Sequence, residues 1–142
     1  METTTAMEFI RAQRQGVLTT VRRDGRPQLS NIIYTVDETG VIRISITAGR
    51  AKAKNLMRDP RAALYVTSND FWSYAVVEGI ADLSPVAAAP NDATTDELVA
   101  LYQSLSGEHP NWDEYRAAMV ADRRLVVRLA PTSAYGMLPG AR

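Results

Sequence analysis

The chain of 142 residues contains no cysteine and only one histidine, His109. Without cysteine it can form no disulfide, no thiolate nucleophile and no cysteine-based metal site. A serine–histidine–acid triad would need His109, which lies in the stretch SGEHPNW between two predicted helices and is better explained as a solvated loop residue. The sequence also lacks ligand spacings such as H-x-x-x-H, so we predict no metal. Most chemistry based on protein nucleophiles or metals is therefore excluded.

The chain also lacks an excess of charge and any long apolar run. Its 16 basic and 16 acidic residues cancel, so it has no general field to attract nucleic acid or an anionic membrane. No segment approaches the roughly 20 apolar residues of a membrane span, and we expect a cytoplasmic protein without membrane or nucleic-acid partners. The phosphate-binding patterns G-x-x-x-x-G-K-[ST] and G-x-G-x-x-G are missing. If the protein is an enzyme, an organic cofactor is expected to carry the chemistry.

The chain does contain segments in which β-branched and apolar residues alternate with polar ones. This pattern predicts strands over residues 16–22, 26–36, 41–47, 61–68, 71–84 and 123–130. Asp24-Gly25 and Asn69-Asp70 are expected to turn two antiparallel hairpins, and Gly79 is expected to form a bulge or bend. Exposed edges on such a sheet would invite self-association, so closure into a small barrel is expected.

Short helices are predicted between and after the strands. They are expected from Thr5 to about Gly16, over residues 50–58, from Thr94 through Leu105, and from Asn111 to about Asp122. The first and third begin with Thr-x-x-Glu, the spacing of a capping box, in which both side chains bind free backbone N–H groups. The length allows one domain, residues 1–142, of the α+β class with a mainly antiparallel sheet.

The segment TAGRAKAKNLMRDPRA, residues 47–62, concentrates positive charge in a chain whose net charge is zero. Its cations are Arg50, Lys52, Lys54, Arg58 and Arg61, and all but Lys52 would fall on or near one helix face. The first turn offers free N–H groups and the positive end of the helix dipole to an anion, and Ser45 and Thr47 on the preceding strand would add hydroxyl donors. The alternative is a surface helix whose cations are merely solvated, and a nucleic-acid site is less favoured.

Two other patterns place polar and aromatic side chains together. Gln28, Ser30, Ile32 and Tyr34 alternate onto one face of their strand and could contact a flat heteroaromatic ring, the alternative being a polar outer face. Trp72 and Tyr74 alternate in the same way, and taken alone they are typical of core or dimer-interface aromatics.

Three motifs, in this order and spacing, resemble one protein family. GVLTTVRRDGRPQLSNIIY, RAKAKNLMRDPRAALYV and FWSYAVVEG are similar to the pyridoxamine 5'-phosphate oxidase-like split β-barrel flavoproteins, and within them to the small bacterial deazaflavin-dependent reductases. The resemblance covers about residues 8–140. It implies a split β-barrel that forms a homodimer, with a flavin or deazaflavin in a groove between the two subunits.

The resemblance also implies which residues bind the cofactor. They are Ser45, Arg50, Ala51, Lys52 and Asn55 around the phosphate, Pro27, Gln28 and Ser30 along the ring system, and Trp72 contributed by the partner subunit. One departure matters. The family's pyridoxamine phosphate oxidases carry a longer carboxy-terminal region with basic residues that bind the substrate phosphate, whereas this sequence has YGMLPGAR there. Oxidation of vitamin B6 phosphates is therefore not expected.

The expected function is that of a deazaflavin-dependent reductase. Such an enzyme transfers a hydride from reduced coenzyme F-420 to activated double bonds of hydrophobic small molecules, such as unsaturated lactones, esters or tetrapyrrole-like compounds. The oligoglutamate tail of the coenzyme would meet Lys54, Arg58 or Arg61, and the proton would come from solvent, Ser30 or Tyr34. Two alternatives stay open: an oxidoreductase that uses flavin mononucleotide (FMN), and a non-catalytic protein that binds cofactor or a tetrapyrrole.

Overall fold

The computed structural model describes residues 1–139, which form a seven-stranded antiparallel sheet and four helices. In chain order the elements are α1 (Thr3–Arg11), β1 (Gln15–Val21), β2 (Pro27–Ile33), β3 (Thr35–Val36), β4 (Ile42–Thr47), α2 (Ala51–Arg58), β5 (Arg61–Thr67), β6 (Tyr74–Leu83), α3 (Ala93–Ser106), α4 (Trp112–Ala121) and β7 (Arg124–Met137). The antiparallel α+β class is confirmed, with seven strands rather than six. The last part of the predicted domain, residues 140–142, lies outside the described residues.

The sheet is curled because its two edge strands are consecutive in the chain. The spatial order is β2-β1-β5-β6-β7-β4-β3, and Tyr34 alone joins the end of β2 to the start of β3. In a flat sheet these edges would lie roughly 30 Å apart, at about 4.8 Å per strand, which a single residue cannot span. The chain path therefore bends the sheet into a half-barrel, consistent with the split barrel that the resemblance implies.

The two edges of the curled sheet meet only in part. β3 is so short that it pairs with Ile42 and Arg43 of β4 and goes no further. Within the part of the chain that the structure describes, residues 44–47 of β4 have a strand partner on one side only, the side of β7. We call the opening between β2 and residues 44–47 the split.

The core lies inside the curl. Ile42, Ile44 and Ile46 of β4 are buried, as their alternation predicts, and Ile44 pairs in register with the buried Val127 of β7. Ala6 and Ile10 of α1 pack into the same apolar cluster. Full burial of one such aliphatic side chain contributes about 1.5–3 kcal/mol.

The other side of the sheet, which we call the outer face, remains partly apolar. Successive register pairs align one residue from each of five strands across it: Asn31, Val17, Tyr65, Val76 and Tyr135. Large apolar side chains that are 43% to 59% exposed on these strands are Leu29, Ile33, Ile80, Tyr135 and Met137. Exposed apolar side chains grouped on one face of a sheet are typical of an interaction site.

The predicted hairpins form. β1 pairs with β2 around Asp24-Gly25, where Gly25 has a φ of 88°, a conformation that glycine adopts without steric cost. β5 pairs with β6 through the loop that contains Asp70, and the register of β6 against β7 shifts between Glu78 and Gly79. The bulge predicted at Gly79 is therefore confirmed.

Three strand limits differ from the prediction by more than one residue. The expected strand 26–36 breaks at Tyr34, because the sheet edge changes there. Residues 71–73 belong to a loop and not to β6. β7 continues beyond Ala130 to Met137, because residues 131–137 pair with the first part of β6, from Gly79 back to Tyr74.

The first helix does not begin with the predicted capping box. α1 starts at Thr3, two residues before Thr5, and its N-cap residue Glu2 makes no side-chain cap hydrogen bond. The helix ends at Arg11 rather than near Gly16, which pairs with β2 instead. Glycine has a low helix propensity, so the helix is not favoured to continue to that position.

The third helix also uses a different cap. The carboxylate of Asp92 accepts a hydrogen bond from the Thr95 backbone N at 2.8 Å, so α3 begins ahead of Thr94. The Thr94 hydroxyl donates to the Pro85 carbonyl at 2.9 Å, and Glu97 binds arginines of the sheet. The predicted capping box of Thr94 and Glu97 is therefore wrong.

The second and fourth helices agree with the prediction. α2 covers Ala51–Arg58 and stops before Asp59-Pro60, where the proline restricts the preceding residue. Asn111 caps α4 by accepting a hydrogen bond from the Glu114 backbone N at 3.1 Å. No helix within residues 1–139 is long and apolar enough to cross a membrane.

Candidate cofactor site

A groove of about 580 Å³ runs from the outer face into the split. Its lining residues are Gln15, Gly16, Val17, Asn31, Ile32, Ile33, Ser45, Lys52, Tyr65, Thr67 and Arg124. One wall is built by β1, β2 and β5, and the opposite end by β4, α2 and the start of β7. The volume lies within the range of small-molecule and cofactor sites.

The start of α2 forms part of the cationic end of the groove. Arg50 is the N-cap residue, with extended backbone angles and no side-chain cap hydrogen bond. An α-helix leaves its first four backbone N–H groups without helical partners, and its dipole is positive at this end. The first turn, Ala51 and Lys52 included, is therefore suited to bind an anion.

Three cations surround this end of the groove. The pKa of Lys52 is lowered, first by burial and then by the positive charges of Arg50 and Arg124. None of the three forms an ion pair with a carboxylate among residues 1–139. A positive cluster that lacks a counter-charge fits a phosphate group, whose oxygens accept charge-assisted hydrogen bonds.

Arg124 is a site residue that the sequence analysis missed. It lies opposite Thr47 in the β4–β7 pairing, and its Nη1 reaches the carbonyl oxygen and Oγ of Ser45 only at 3.5 and 3.4 Å. Its Nε is buried and has no hydrogen-bond partner within the described residues. No local sequence pattern could have identified Arg124, because Arg124 and Ser45 are 79 positions apart in the chain.

The structure brings together some of the predicted cofactor residues. Ser45 and Lys52 line the groove, and Arg50 and Ala51 flank it at the start of α2. Asn55 is 7% exposed and donates to the Thr20 hydroxyl at 3.1 Å, so it attaches α2 to β1. Asn55 therefore helps to position α2, but its side chain faces the protein interior and not the groove.

On β2 the groove is lined further along the strand than predicted. Its lining residues there are Asn31, Ile32 and Ile33. Pro27, Gln28 and Ser30 do not line it, and Gln28 instead accepts a hydrogen bond from the Thr20 hydroxyl at 3.1 Å. The Ser30 Oγ is buried and lacks a hydrogen-bond partner among the described residues.

Tyr34 does not face the groove, which corrects the prediction that it supplies a proton. Its side chain is 1% exposed, and its hydroxyl donates to the Ile10 carbonyl of α1 at 2.6 Å. Burial raises the pKa of Tyr34 far above its ordinary value. A hydroxyl that is buried, bonded and hard to ionise cannot deliver a proton to a ligand in the groove.

Of the remaining cations of the segment, Lys54 and Arg58 lie on α2 and Arg61 does not. Arg61 lies on β5 and pairs with Asp59 at 2.7 Å. Arg58 donates to the carbonyl of Val21 at 2.7 Å and to Asn55. The predicted common face is therefore wrong for Arg61, and Arg58 is engaged with β1.

Trp72 lies in the β5–β6 loop beside Phe71, and these side chains are 68% and 75% exposed. Phe71 has a φ of 70°, uncommon for a residue with a side chain. Ser68 and Asp70 hold the loop by bonds to the backbone N of Ser73 and Trp72. Trp72 does not line the groove of its own chain.

His109 lies apart from the groove, among aromatic rings between α3 and α4. It contacts Tyr102, Trp112 and Tyr115 with ring centroids 5.2 to 5.7 Å apart. Its Nδ1 accepts a hydrogen bond from the backbone N of Asn111 at 2.9 Å. These contacts explain His109 as a packing residue of the helical pair.

Comparison with known proteins identifies the family. The family model described as pyridoxamine 5'-phosphate oxidase matches residues 3–137. The chain therefore belongs to this family of split-barrel proteins, as the three sequence motifs indicated.

Solved structures share the fold along nearly the whole chain. An F-420 reductase is 28% identical, with a TM-score of 0.66 over 86% of this chain and 89% of its own. A conserved hypothetical protein from Mycobacterium tuberculosis is 22% identical, with a TM-score of 0.73 over 96% and 84%. A heme storage protein from Vibrio cholerae is 16% identical, with a TM-score of 0.69 over 96% of both chains. The last two show the fold alone, and function must be argued from the site.

Proposed function

We propose that the protein is a homodimeric oxidoreductase that uses the deazaflavin coenzyme F-420 to reduce activated double bonds of hydrophobic small molecules. The observation that carries the proposal is the group of cations at one end of the groove, Arg50, Lys52 and Arg124, without carboxylate partners among residues 1–139. A phosphate-bearing cofactor would supply the missing negative charge. The likeness to an F-420 reductase supports the choice of deazaflavin.

The rest of the groove is suited to a flat ring system. Asn31 offers an amide, Thr67 a hydroxyl, and Val17 and Ile33 apolar contacts. When bound, the reduced deazaflavin would supply a hydride to one carbon of the double bond, and solvent would supply the proton for the other. The protein's part is to hold the ring against the substrate, so no side chain need act as an acid.

The outer face supports a homodimer that completes the site. Its exposed Leu29, Ile80 and Tyr135 would be covered by a second copy of the chain. In this arrangement Trp72 of the partner subunit would approach the groove, in keeping with its exposure on the β5–β6 loop. An aromatic side chain there would pack on the ring or on a hydrophobic substrate.

A second candidate is an oxidoreductase that uses FMN. The observation that favours it is that Arg58 binds the Val21 carbonyl and Arg61 pairs with Asp59. These two cations were expected to bind the tail of F-420, and their contacts within the protein give no support for a tail site. A single phosphate at the start of α2 would satisfy FMN as well as F-420. A binding protein for a cofactor or tetrapyrrole would use the same groove without turnover.

One experiment separates these functions. The purified protein is titrated with coenzyme F-420 and with FMN, and oxidation of each reduced cofactor is followed as unsaturated lactones, esters and tetrapyrroles are added. The proposal expects tight binding of F-420 and oxidation of its reduced form only with an acceptor present. Binding of FMN alone supports the second candidate, and binding without turnover over the whole panel supports the binding protein.

A further inference from the structure

We propose that Arg123 and Arg124, where α4 joins β7, extend the anion site so that it holds two anionic groups. Arg124 would bind the cofactor phosphate together with Lys52, and Arg123 would bind a carboxylate of a chain attached to that phosphate. The inference rests on the proposed function and deepens it, because it names the part of the protein that would recognise the acidic tail of a deazaflavin.

The backbone brings this junction to the start of α2. The Ala48 backbone N donates to the Arg123 carbonyl at 2.9 Å, and Thr47 pairs in register with Arg124. The Arg50 backbone N in turn donates to the Thr47 carbonyl at 3.1 Å. These bonds connect the Arg123–Arg124 pair to the segment that begins α2.

The two arginines differ in position, and the difference assigns their roles. Arg124 lines the groove together with Ser45 and Lys52, and its buried Nε lacks a partner among the described residues. Leaving a buried polar atom without a hydrogen bond destabilises a protein, so a partner supplied by a ligand would explain its retention. Arg123 is exposed and does not line the groove, so it can meet only the part of a ligand that extends outside.

The backbone at Arg123 is unusual. Its φ is 53°, in the left-handed region, although no glycine, asparagine or aspartate occupies the position. Its N–H donates to the Val120 carbonyl at 3.0 Å and its carbonyl accepts from Ala48, so both backbone groups are fixed. Costly backbone conformations are often found at functional sites.

Charge supports the same assignment. Neither Arg123 nor Arg124 makes an ion pair with a carboxylate in residues 1–139, and the adjacent Asp122 makes none with Arg123. Arg50 and Arg124 act electrostatically on Lys52, and Arg123 adds a further cation at the position next to Arg124 in a chain of zero net charge. Like charges this close repel one another. A ligand with two anionic groups would remove more of this repulsion than a single phosphate.

The base of this arrangement is rigid. Tyr102, Trp112 and Tyr115 pack α4 against α3 with ring centroids 5.0 to 5.7 Å apart, and the Tyr115 hydroxyl donates to the Leu98 carbonyl at 3.1 Å. Burial raises the pKa of Tyr115, while the charge of Arg124 opposes the shift, which indicates that the two groups are close. The aromatic cluster therefore fixes where the junction presents its arginines.

The test compares Arg123→Gln and Arg124→Gln with the control Arg61→Gln, which removes an arginine paired with Asp59 on β5. Arg124→Lys is added because it keeps the charge if Arg124→Gln folds poorly, and thermal melts monitor folding. The probes are F-420 with its glutamate tail, the tail-free form of F-420, FMN, inorganic phosphate and pyrophosphate. Affinities are measured by fluorescence titration or by calorimetry.

We expect Arg124→Gln to weaken binding of every phosphate-bearing cofactor by about ten- to a hundredfold, and Arg124→Lys by less. Arg123→Gln should weaken tailed F-420 and pyrophosphate by about three- to tenfold, with tail-free F-420, FMN and inorganic phosphate unchanged. Arg61→Gln should match the parent. The inference is overturned if the parent binds tailed F-420 and Arg123→Gln binds it as tightly as the parent, whatever the affinity of Arg124→Gln. Failure of the proposed function looks different, since the parent itself would then not bind F-420.

Discussion

Lys52 combines two conditions that rarely occur together on a protein surface. It is partly buried, and it faces other cations without a carboxylate to compensate them. Both conditions lower its pKa, burial first and the positive charges of Arg50 and Arg124 second. Lys52 is therefore available to bind an anionic ligand, and its removal should lower the affinity for that ligand more than it lowers the stability of the fold.

Lys52→Ala should therefore weaken F-420 binding by roughly ten- to a hundredfold, because a charge-assisted contact to phosphate contributes about 1.5–3 kcal/mol. The matched control is Arg61→Ala, which removes a cation of the same segment that already has Asp59 as its partner. A cofactor titration of both variants, with thermal melts beside it, measures the effect. Equal affinities for parent, variant and control would mean that Lys52 is a solvated surface charge.

Tyr34 provides the complementary test, because its substitution should affect stability and leave cofactor binding unchanged. Tyr34→Phe removes the hydrogen bond to Ile10 and leaves its carbonyl without that donor, so the free energy of unfolding should fall by about 1–2 kcal/mol. F-420 binding and turnover should stay unchanged, because Tyr34 faces the core. Ser30→Ala is the comparison, since the Ser30 hydroxyl has no partner within the described chain to lose. Urea unfolding and steady-state rates decide, and a loss of turnover without a loss of stability would restore Tyr34 to the site.

Local spacing explains which site residues could be found from the sequence. Ser45 and Lys52 are close in the chain, so a strand followed by a helix predicts their proximity. Arg124 could not be found in this way, because its position beside Ser45 depends on the pairing of two distant strands. The groove contact of Asn31 was also missed, because strand alternation cannot tell which face of β2 borders a split elsewhere in the fold.

At the scale of elements, one carboxylate of α3 binds two strands of the sheet. Glu97 accepts from Arg43 on β4 at 2.9 Å and from Arg128 on β7 at 2.8 and 2.5 Å. Arg43 also pairs with Asp37, and Arg128 pairs with Asp82 at 2.9 Å. This ion-pair network connects α3 to the adjacent strands β4 and β7. A capping box that includes Glu97 would not predict these contacts.

The network makes stability depend on pH. Hydrogen bonding from Arg128, followed by that from Arg43, lowers the pKa of Glu97 below its ordinary 4.5 despite partial burial. Because the folded-state pKa is depressed, the contribution of Glu97 is complete above about pH 4.5 and is lost as the pH falls through the lower folded value. Glu97→Gln should lower the free energy of unfolding by about 2 kcal/mol at pH 7.

The measurement is urea unfolding of the parent and Glu97→Gln at pH 7 and at pH 3.5, the second value chosen about one unit below the ordinary pKa of Glu. The difference in unfolding free energy between the two proteins should shrink at the lower pH. Asp96→Asn serves as control, because the Asp96 side chain is 62% exposed and its ion-pair partner, Arg116, belongs to α4 and not to the sheet. A difference that stays constant with pH would contradict a role for the Glu97 charge.

At the scale of the whole molecule, the proposed dimer would involve both the outer face and the groove. Ile80 is 59% exposed on that face, and Met57 is 56% exposed on α2. These two residues offer a matched pair, since each places a large apolar side chain in solvent and only Ile80 belongs to the surface that a second subunit would cover.

Ile80→Glu should shift the protein from dimer to monomer and weaken F-420 binding, because a buried charge in an apolar interface is costly. Met57→Glu should change neither property. Light scattering at micromolar concentration gives the mass, and the same samples are titrated with F-420. A parent that is monomeric with cofactor bound would rule out a groove shared by two subunits.

The α+β class, both hairpins and the bulge at Gly79 followed from local patterns, because turn glycines and alternating side chains act over short distances. The order of the strands did not follow from local patterns, because it depends on the pairing of β1 with β5 and of β4 with β7. Helix caps were the least predictable detail. Asp92 rather than Thr94 caps α3, because the backbone N–H groups of Ala88 and Ala89 also donate to the Asp92 carboxylate and fix it in place.

The placement of β7 between β6 and β4 also sets the order of events during synthesis. β4 leaves the ribosome long before β7, its partner across a separation of 79 positions between Ser45 and Arg124. Until β7 arrives, Ile42, Ile44 and Ile46 have no strand to cover that edge. Non-local pairing of this kind is slow, and exposed apolar strands aggregate. During that interval the apolar side chains of β4 are open to contact with other chains, because the strand that covers them has not yet been made.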